Sequence, residues 1–433
     1  MKNPPLHRYA TRPGLYFTDD GGADAVVRSE TADQVWFCVL EPLDQPSAFY
    51  ADAVRLFNEP GLTFIDQAKK QRICTRRIPS LNLRETLFRM DGPNYGLWYV
   101  HIPQAWDGMQ YGYRVNGPWD PDHGVSFNPY KLLLDPYAKG IEGSMELDPG
   151  AFSYECEIVN GKVKGSPFGP MSTIDSVGRM PVSVAIDDRA IDKHAGEPSH
   201  PHVPWSKTVI YELHVKGFTA NAPWLPKELR GTYAGLAHPA TLSYLQDLGV
   251  TSIELLPIQA KQSELFLQER ERVNYWGYST LGYFAPEASY ATKRSQEAGA
   301  AAVRQEVIDM VRALHEAGFE VIMDVSTTTP ANPVPKARPF AGAASTISRT
   351  TDAPKIRSAA CTTLPAAATR LISPTRTSPR SPWIRCAIGP NALASTDSDS
   401  ISRRRWHVST VNSPATIRSC MHCAPTCCSA ISK

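Results

Sequence analysis

From residue 12 to about 120 the apolar positions fall in short runs separated by turn signals. Ala25-Val26-Val27, Val35-Trp36-Phe37-Cys38-Val39-Leu40 and Gly96-Leu97-Trp98-Tyr99-Val100 are rich in β-branched and aromatic residues, with Asp-Asp-Gly-Gly and Asp-Gly-Pro turns between such runs. Short strands at this spacing predict an antiparallel β-sandwich of about 100 residues. Nothing in this stretch has catalytic spacing, and it reads as a packing module.

From about Trp205 the period changes. Val209-Ile-Tyr-Glu-Leu-His-Val215 is a short apolar run fit for a buried strand. Leu242, Leu245 and Leu248 recur at helical spacing and stop at Gly249, a residue suited to the left-handed position after a helix. Ser252-Ile-Glu-Leu-Leu-Pro-Ile258 reads as a second strand. After a long loop, Val303, Val307, Met310, Val311 and Leu314 share one helix face that ends at Gly318, and Phe319–Val325 reads as a third strand. Strands alternating with helices imply right-handed crossovers and parallel pairing. Three strands do not decide between an open α/β sheet and a (β/α)₈ barrel.

Composition changes the picture at Val325. Before the cut lie all 17 tyrosines and 31 basic against 40 acidic residues, a formal charge of −9. After it come 14 basic and 3 acidic residues, +11, with no tyrosine, no glutamate and 31 serines and threonines in 108 positions. A segment of that kind cannot bury enough apolar surface to offset its ordering entropy, so an unstructured C-terminal tail is expected. No apolar run approaches the ~20 residues of a membrane span, and the N-terminus has no signal-peptide core. Near-neutral overall charge gives no reason to expect nucleic acid or membrane as a partner. Three scattered cysteines before the cut (Cys38, Cys74, Cys156) imply no disulfide framework and fit a reducing cytoplasm.

Several stretches resemble a known family. Tyr111-Gly-Tyr-Arg-Val-Asn-Gly-Pro-Trp-Asp-Pro and Phe127-Asn-Pro-Tyr-Lys-Leu-Leu-Leu-Asp-Pro-Tyr-Ala-Lys139 look like the end of an isoamylase-type N-terminal domain. Ile210–Thr219, Leu248–Pro257, Asn274-Tyr-Trp-Gly-Tyr-Ser-Thr-Leu-Gly-Tyr-Phe-Ala-Pro286 and Leu314–Val325 resemble the first three barrel strands of glycogen debranching enzymes and the loop after the second. The resemblance, to the isoamylase-type group of the α-amylase superfamily, covers about residues 12–325. It implies a β-sandwich N-terminal domain (1–160), a linker (161–204) and about three βα units of a (β/α)₈ TIM barrel (205–325), followed by the tail (326–433). It also implies a site at the C-terminal ends of the barrel strands.

Where this superfamily continues as V-Y-N-H, the chain reads Ser326-Thr-Thr-Thr-Pro-Ala-Asn332. Read one base earlier, the possible codons of these seven residues accommodate V-Y-N-H-T-C-E. The same shift on Ser395-Thr-Asp-Ser-Asp-Ser-Ile-Ser402 accommodates I-D-G-F-R-F-D-L, the superfamily's fourth-strand signature with its catalytic aspartate. Two such matches in one frame and in family order imply a nucleotide lost after codon 325. Cys420-Met-His-Cys423, with Cys427 and Cys428, would then imitate a zinc knuckle by accident.

The family's reaction is retaining hydrolysis of α-1,6-glucosidic branch linkages, which needs two carboxyl groups about 5–5.5 Å apart. None of the family's catalytic carboxylates can be carried onto a position of this chain, so no catalytic residue is assigned and the chain as written is expected to be inactive. Tyr278 matches a position whose ring stacks on the sugar beside the scissile bond. Trp276 and Tyr275 join it as substrate-binding candidates, with loop packing as the alternative. Asp324, which ends the third strand, is the fourth substrate-binding candidate, although its family role is largely structural, orienting an Asn and a His that are missing here. His214 reads as a hydrogen-bonded core histidine. Asp120-Pro-Asp122-His-Gly124 begins like an EF-hand loop but lacks the later ligands. The resemblance implies glycogen, amylopectin or limit dextrins as partners, with no organic cofactor and no metal. The rivals are a trehalose-forming or branching enzyme of the same superfamily and a non-catalytic glucan-binding fragment.

Overall fold

The computed structural model describes residues 12–49, 53–56, 61–189 and 201–325, together with the backbone of a strand at Arg385–Ala387. Its first part is built on two large sheets, with two small two-stranded ones at residues 119–126 and 156–165 beside them. One large sheet has the strand order Gly14–Phe17, Ala23–Arg28, Leu97–Ile102, Asp91–Asn94, antiparallel throughout. The other has seven strands in the order Gly140–Glu142, Val182–Val184, Gln110–Asn116, Gln34–Pro42, Leu83–Arg89, Ile73–Ile78, Val54–Arg55, all antiparallel except the last pair.

Side-chain alternation explains how the two sheets meet. Ala23 and Ala25, with Trp98, Val100 and Ile102, come from the smaller sheet and share a core with Val35, Phe37, Val39, Tyr111 and Tyr113 of the larger one. The in-between residues Trp36, Cys38 and Leu40 are buried on the opposite face under Ala68, Leu132 and Val177. Both faces of this strand are covered, so its sequence is apolar at nearly every position. Under that second face lies a buried ion network. Arg114 donates to Glu85 at 2.6 and 3.2 Å and to Asp175 at 2.9 Å, and Arg76 pairs with both carboxylates. Residues Val182–Val184, inside the stretch expected as a linker, form a strand of the seven-stranded sheet and bond to Gln110 and Tyr111.

The second part is a parallel sheet in the order Ile210–Leu213, Ser252–Leu255, Glu320–Asp324. Leu213, Ile253, Leu255, Val321 and Met323 face a core that includes Leu245 of the helix Pro239–Asp247 and Val303, Val307, Met310, Val311 and Leu314 of the helix Ala300–Glu316. The five residues expected on one face of that long helix are therefore all buried. Leu248 is not: it sits at the C-terminal end of its helix, 51% exposed, before Gly249 at φ 74°. The run around Ile210 also differs from the buried strand expected, with Ile210 39% and Tyr211 36% exposed, because its other edge has no described neighbour. Alternation puts Glu212, Glu254, Glu320 and Asp324 on the sheet face away from the helices, beside Ile210, Ser252 and Ile322.

The strand Arg385–Ala387 pairs antiparallel with Ile322–Asp324. Apart from it, the expectations for the tail, Cys420–Cys428 included, lie outside the described residues. Buried contacts join the two parts. Asp188 takes Lys139 at 2.6 Å and Arg304 of the long helix at 3.1 Å, and Glu142 accepts the Ala300 backbone N–H at that helix's start.

Candidate functional site

Two polar-capped segments meet at the C-terminal ends of the parallel strands. The first strand ends in His214, which begins the short helix Val215–Thr219 by accepting the Gly217 N–H on Nδ1 at 3.0 Å. With Nδ1 serving as acceptor, the proton of the neutral imidazole sits on Nε2. That nitrogen faces the Tyr275 carbonyl at 2.8 Å and the Tyr290 hydroxyl at 3.0 Å. Burial holds the His214 pKa below its ordinary value against the pull of the Tyr275 carbonyl, and the charges of Lys261 and Lys216 add to the lowering. His214 is thus a neutral, hydrogen-bonded anchor, as its place in the sequence suggests.

The second segment is the loop 274–278. Asn274 closes it with a side-chain-to-backbone bond three residues on, its Oδ1 accepting the Gly277 N–H at 2.8 Å while its Nδ2 donates to both oxygens of Glu264 at 2.9 and 3.0 Å. Gly277 takes φ 89°, and a Cβ there would stand 2.8 Å from the Pro257 carbonyl oxygen, so both conformation and space require glycine. Lys261, at the end of the short strand Gln259–Lys261, donates to the Asn274 carbonyl at 2.8 Å and to the Tyr290 hydroxyl at 2.7 Å. The Tyr275 carbonyl also lies within 3.4 Å of its ammonium.

The four sequence candidates divide within this frame. Tyr278 and Asp324 come together, the phenol donating to Asp324 Oδ2 at 2.5 Å. Tyr275 lies flat on His214, ring centroids 4.4 Å apart and planes 9° apart, with its hydroxyl over Gly217. Trp276 meets the Tyr275 ring edge-on and is 58% exposed. The loop therefore offers Trp276 to solvent and places Tyr278 at the tip of the third strand, while Tyr275 fastens the loop to the first. Sequence reasoning did not single out Lys261, Glu264 or Tyr290. Only the Asn274-x-x-Gly277 spacing carried a local signal for the turn; Lys261 and Tyr290 are brought in by the fold. Among the described residues no group of His, Cys, Asp and Glu is arranged to hold a metal, and no helix is long and apolar enough to cross a membrane.

No protein-family model matches the chain. The glycogen operon protein GlgX homolog of Mycobacterium tuberculosis is 40% identical over 265 residues, 60% of this chain and 34% of that protein. The glycogen debranching enzyme of Cronobacter sakazakii is 44% identical over 262 residues, 60% and 36% of the two chains. That of Yersinia pseudotuberculosis is 42% identical over 319 residues, 74% and 39%. Among solved structures, the pullulanase of Anoxybacillus sp. LM18-11 complexed with maltotetraose superposes with a TM-score of 0.44 at 22% identity, covering 72% of this chain and 34% of the pullulanase. By sequence the chain is a relative of the bacterial glycogen debranching enzymes, and it spans a little over a third of the length of the curated relatives it matches.

Proposed function

We propose that residues 205–325 are the first βα units of an isoamylase-type (β/α)₈ glycoside hydrolase that cleaves α-1,6-glucosidic branch linkages with retention. The antiparallel sheets before them would be its N-terminal β-sandwich. The observation that carries this reading is the loop Asn274–Tyr278. It stands at the C-terminal end of a parallel sheet and presents Trp276 and Tyr278, in a chain that is 41–44% identical over its aligned residues to proteins named glycogen debranching enzyme. An aromatic ring against the apolar face of a pyranose is a sound mode of sugar recognition. In this reading Tyr278 and Trp276 contact an α-glucan, Asp324 orients Tyr278, and Tyr275 fixes the loop.

Glycogen, amylopectin or limit dextrins are the proposed ligands, bound without any organic cofactor. The chain as written binds but does not cleave, since no carboxylate can be assigned to the family's nucleophile or acid. The test measures maltoheptaose binding by calorimetry and reducing-end release from amylopectin, both on the 433-residue chain. Binding without release is expected. Absence of binding overturns the site, and clear release overturns the inactivity. A chain re-read with one base inserted after codon 325 is expected to regain V-Y-N-H and D-G-F-R-F-D in one open frame; an early stop there refutes the lost-nucleotide account.

A further inference from the structure

We infer that Lys261 is a positioning residue for the sugar-facing loop, holding it closed by charge-assisted hydrogen bonds to backbone rather than by an ion pair. The inference rests on the proposed glucan reading for its binding consequence, but not for its structural one. Lys261 is half-buried, and its ammonium is directed at three acceptors: the carbonyls of Asn274 and Tyr275 and the hydroxyl of Tyr290. Two of these are consecutive carbonyls of the loop. The third belongs to Tyr290, a fully buried ring that faces His214 edge-on.

The groups around the ammonium leave this as its role. Among the described residues no carboxylate ion-pairs with it. Glu287, the acidic group whose charge it feels, uses its Oε2 to accept the Lys261 backbone N–H at 3.0 Å instead. Burial pushes the Lys261 pKa below its ordinary value, Glu287 opposes that, and the like charge of Lys216 adds to it. A half-desolvated ammonium is costly unless its N–H groups are satisfied, and here the acceptors that satisfy it belong to the loop and its backing. Lys261 from one side and His214 from the other therefore converge on Tyr275. The carbonyl of that residue is the junction between the first parallel strand and the loop that carries Trp276 and Tyr278. Lys261 touches no sugar in this scheme; it acts through the loop.

The test compares Lys261→Met and Lys261→Arg with the unaltered 433-residue chain. Amide hydrogen exchange of peptides spanning 273–278 is measured without sugar, and maltoheptaose affinity by calorimetry. Lys261→Met is expected to speed exchange in these peptides by about tenfold, with other regions unchanged and the thermal midpoint within about 3 °C. It should weaken maltoheptaose binding by a similar factor of about ten. Lys261→Arg, which keeps a cation able to reach the carbonyls, should restore most of both. Unchanged exchange in 273–278 with Lys261→Met overturns the inference, as does a general loss of protection across the parallel sheet. If the unaltered chain fails to bind maltoheptaose, the glucan reading falls, while the exchange measurement still decides the role of Lys261.

Discussion

The phenolic hydroxyl of Tyr278 donates to Asp324 at 2.5 Å, which ties the loop after the second parallel strand to the last residue of the third. Two residues 46 positions apart thus fix where an aromatic face stands relative to the strand ends.

Removing the ring and removing only its hydroxyl should separate stacking from orientation. Tyr278→Ala is expected to weaken maltoheptaose binding about tenfold, the scale of an aromatic contact. Tyr278→Phe, which keeps the face and loses the bond to Asp324, should cost only about two- to threefold, the scale of a partly exposed neutral hydrogen bond. Equal losses in the two variants, measured by calorimetry, would show that the hydroxyl and not the face is what matters.

Gly277 has neither the φ nor the space for a side chain. Gly277→Ala should lower stability by about 1–3 kcal/mol, combining left-handed backbone strain with a clash at the Pro257 carbonyl. The change should be visible as a lower thermal midpoint and faster exchange of the 274–278 amides. An unaffected midpoint with unchanged exchange would mean the loop has room that the geometry denies.

The Arg114 network predicts an acid limit to stability. Burial alone would raise the pKa of Glu85 and of Asp175, but Arg114 and Arg76 outweigh it and hold both below their ordinary values of 4.5 and 3.8. Because the folded values are depressed, the unfolded chain binds protons first as pH falls. The stability these groups contribute is complete above about pH 5 and is lost progressively below it. Arg114→Met should cost about 3–5 kcal/mol at neutral pH, since it leaves buried carboxylates with too little positive charge. It should also flatten the acid decline of the thermal midpoint. A midpoint independent of pH between about 5 and 3, where the decline begins, in the unaltered chain would contradict this linkage.

Thiol chemistry reports on the second face of the larger sheet, where Cys38 and Cys74 lie. Cys38 and Cys74 are buried in the seven-stranded sheet, and burial pushes the Cys74 thiol up to about 12 and also raises that of Cys38 well above its ordinary value. Cys156 is partly exposed. Maleimide followed by peptide mass spectrometry should modify Cys156 and spare Cys38 and Cys74 until denaturant is added. Modification of Cys38 as fast as Cys156 under native conditions would mean that Ala68, Leu132 and Val177 do not close the outer face of the larger sheet over it.

Much of this architecture was legible in the chain. Val303, Val307, Met310, Val311 and Leu314 mark their helix face because burial on one side leaves a 3.6-residue period, and the residues are all buried. The run Val35–Leu40 shows its strand equally well, since both of its faces are covered. Leu248 and Ile210 misled for one reason: an apolar letter records the capacity to be buried, and burial depends on a neighbouring element that local pattern does not show. Val182–Val184 was lost in a stretch too short and too mixed to announce a strand, and its pairing with Gln110 and Tyr111 is made across some 70 positions. At the site, the aromatic residues stood out by type, while the turn that Asn274 and Gly277 close emerged only from the structure. Lys261 and Tyr290 did not, because neither has a local partner in sequence; their roles exist only once the short strand and the loop lie side by side.

The junction at the Tyr275 carbonyl has a bearing on how recognition would divide between enthalpy and entropy. A surface loop with two aromatic side chains ordinarily loses backbone freedom when it grips a ligand, and that loss subtracts from affinity. Here the loss is taken during folding, when His214 closes on one carbonyl and Lys261 on the one before it. Under the proposed function, the loop backbone would already be ordered before a glucan arrives, and most of the disorder still to be removed would be that of the glucan itself.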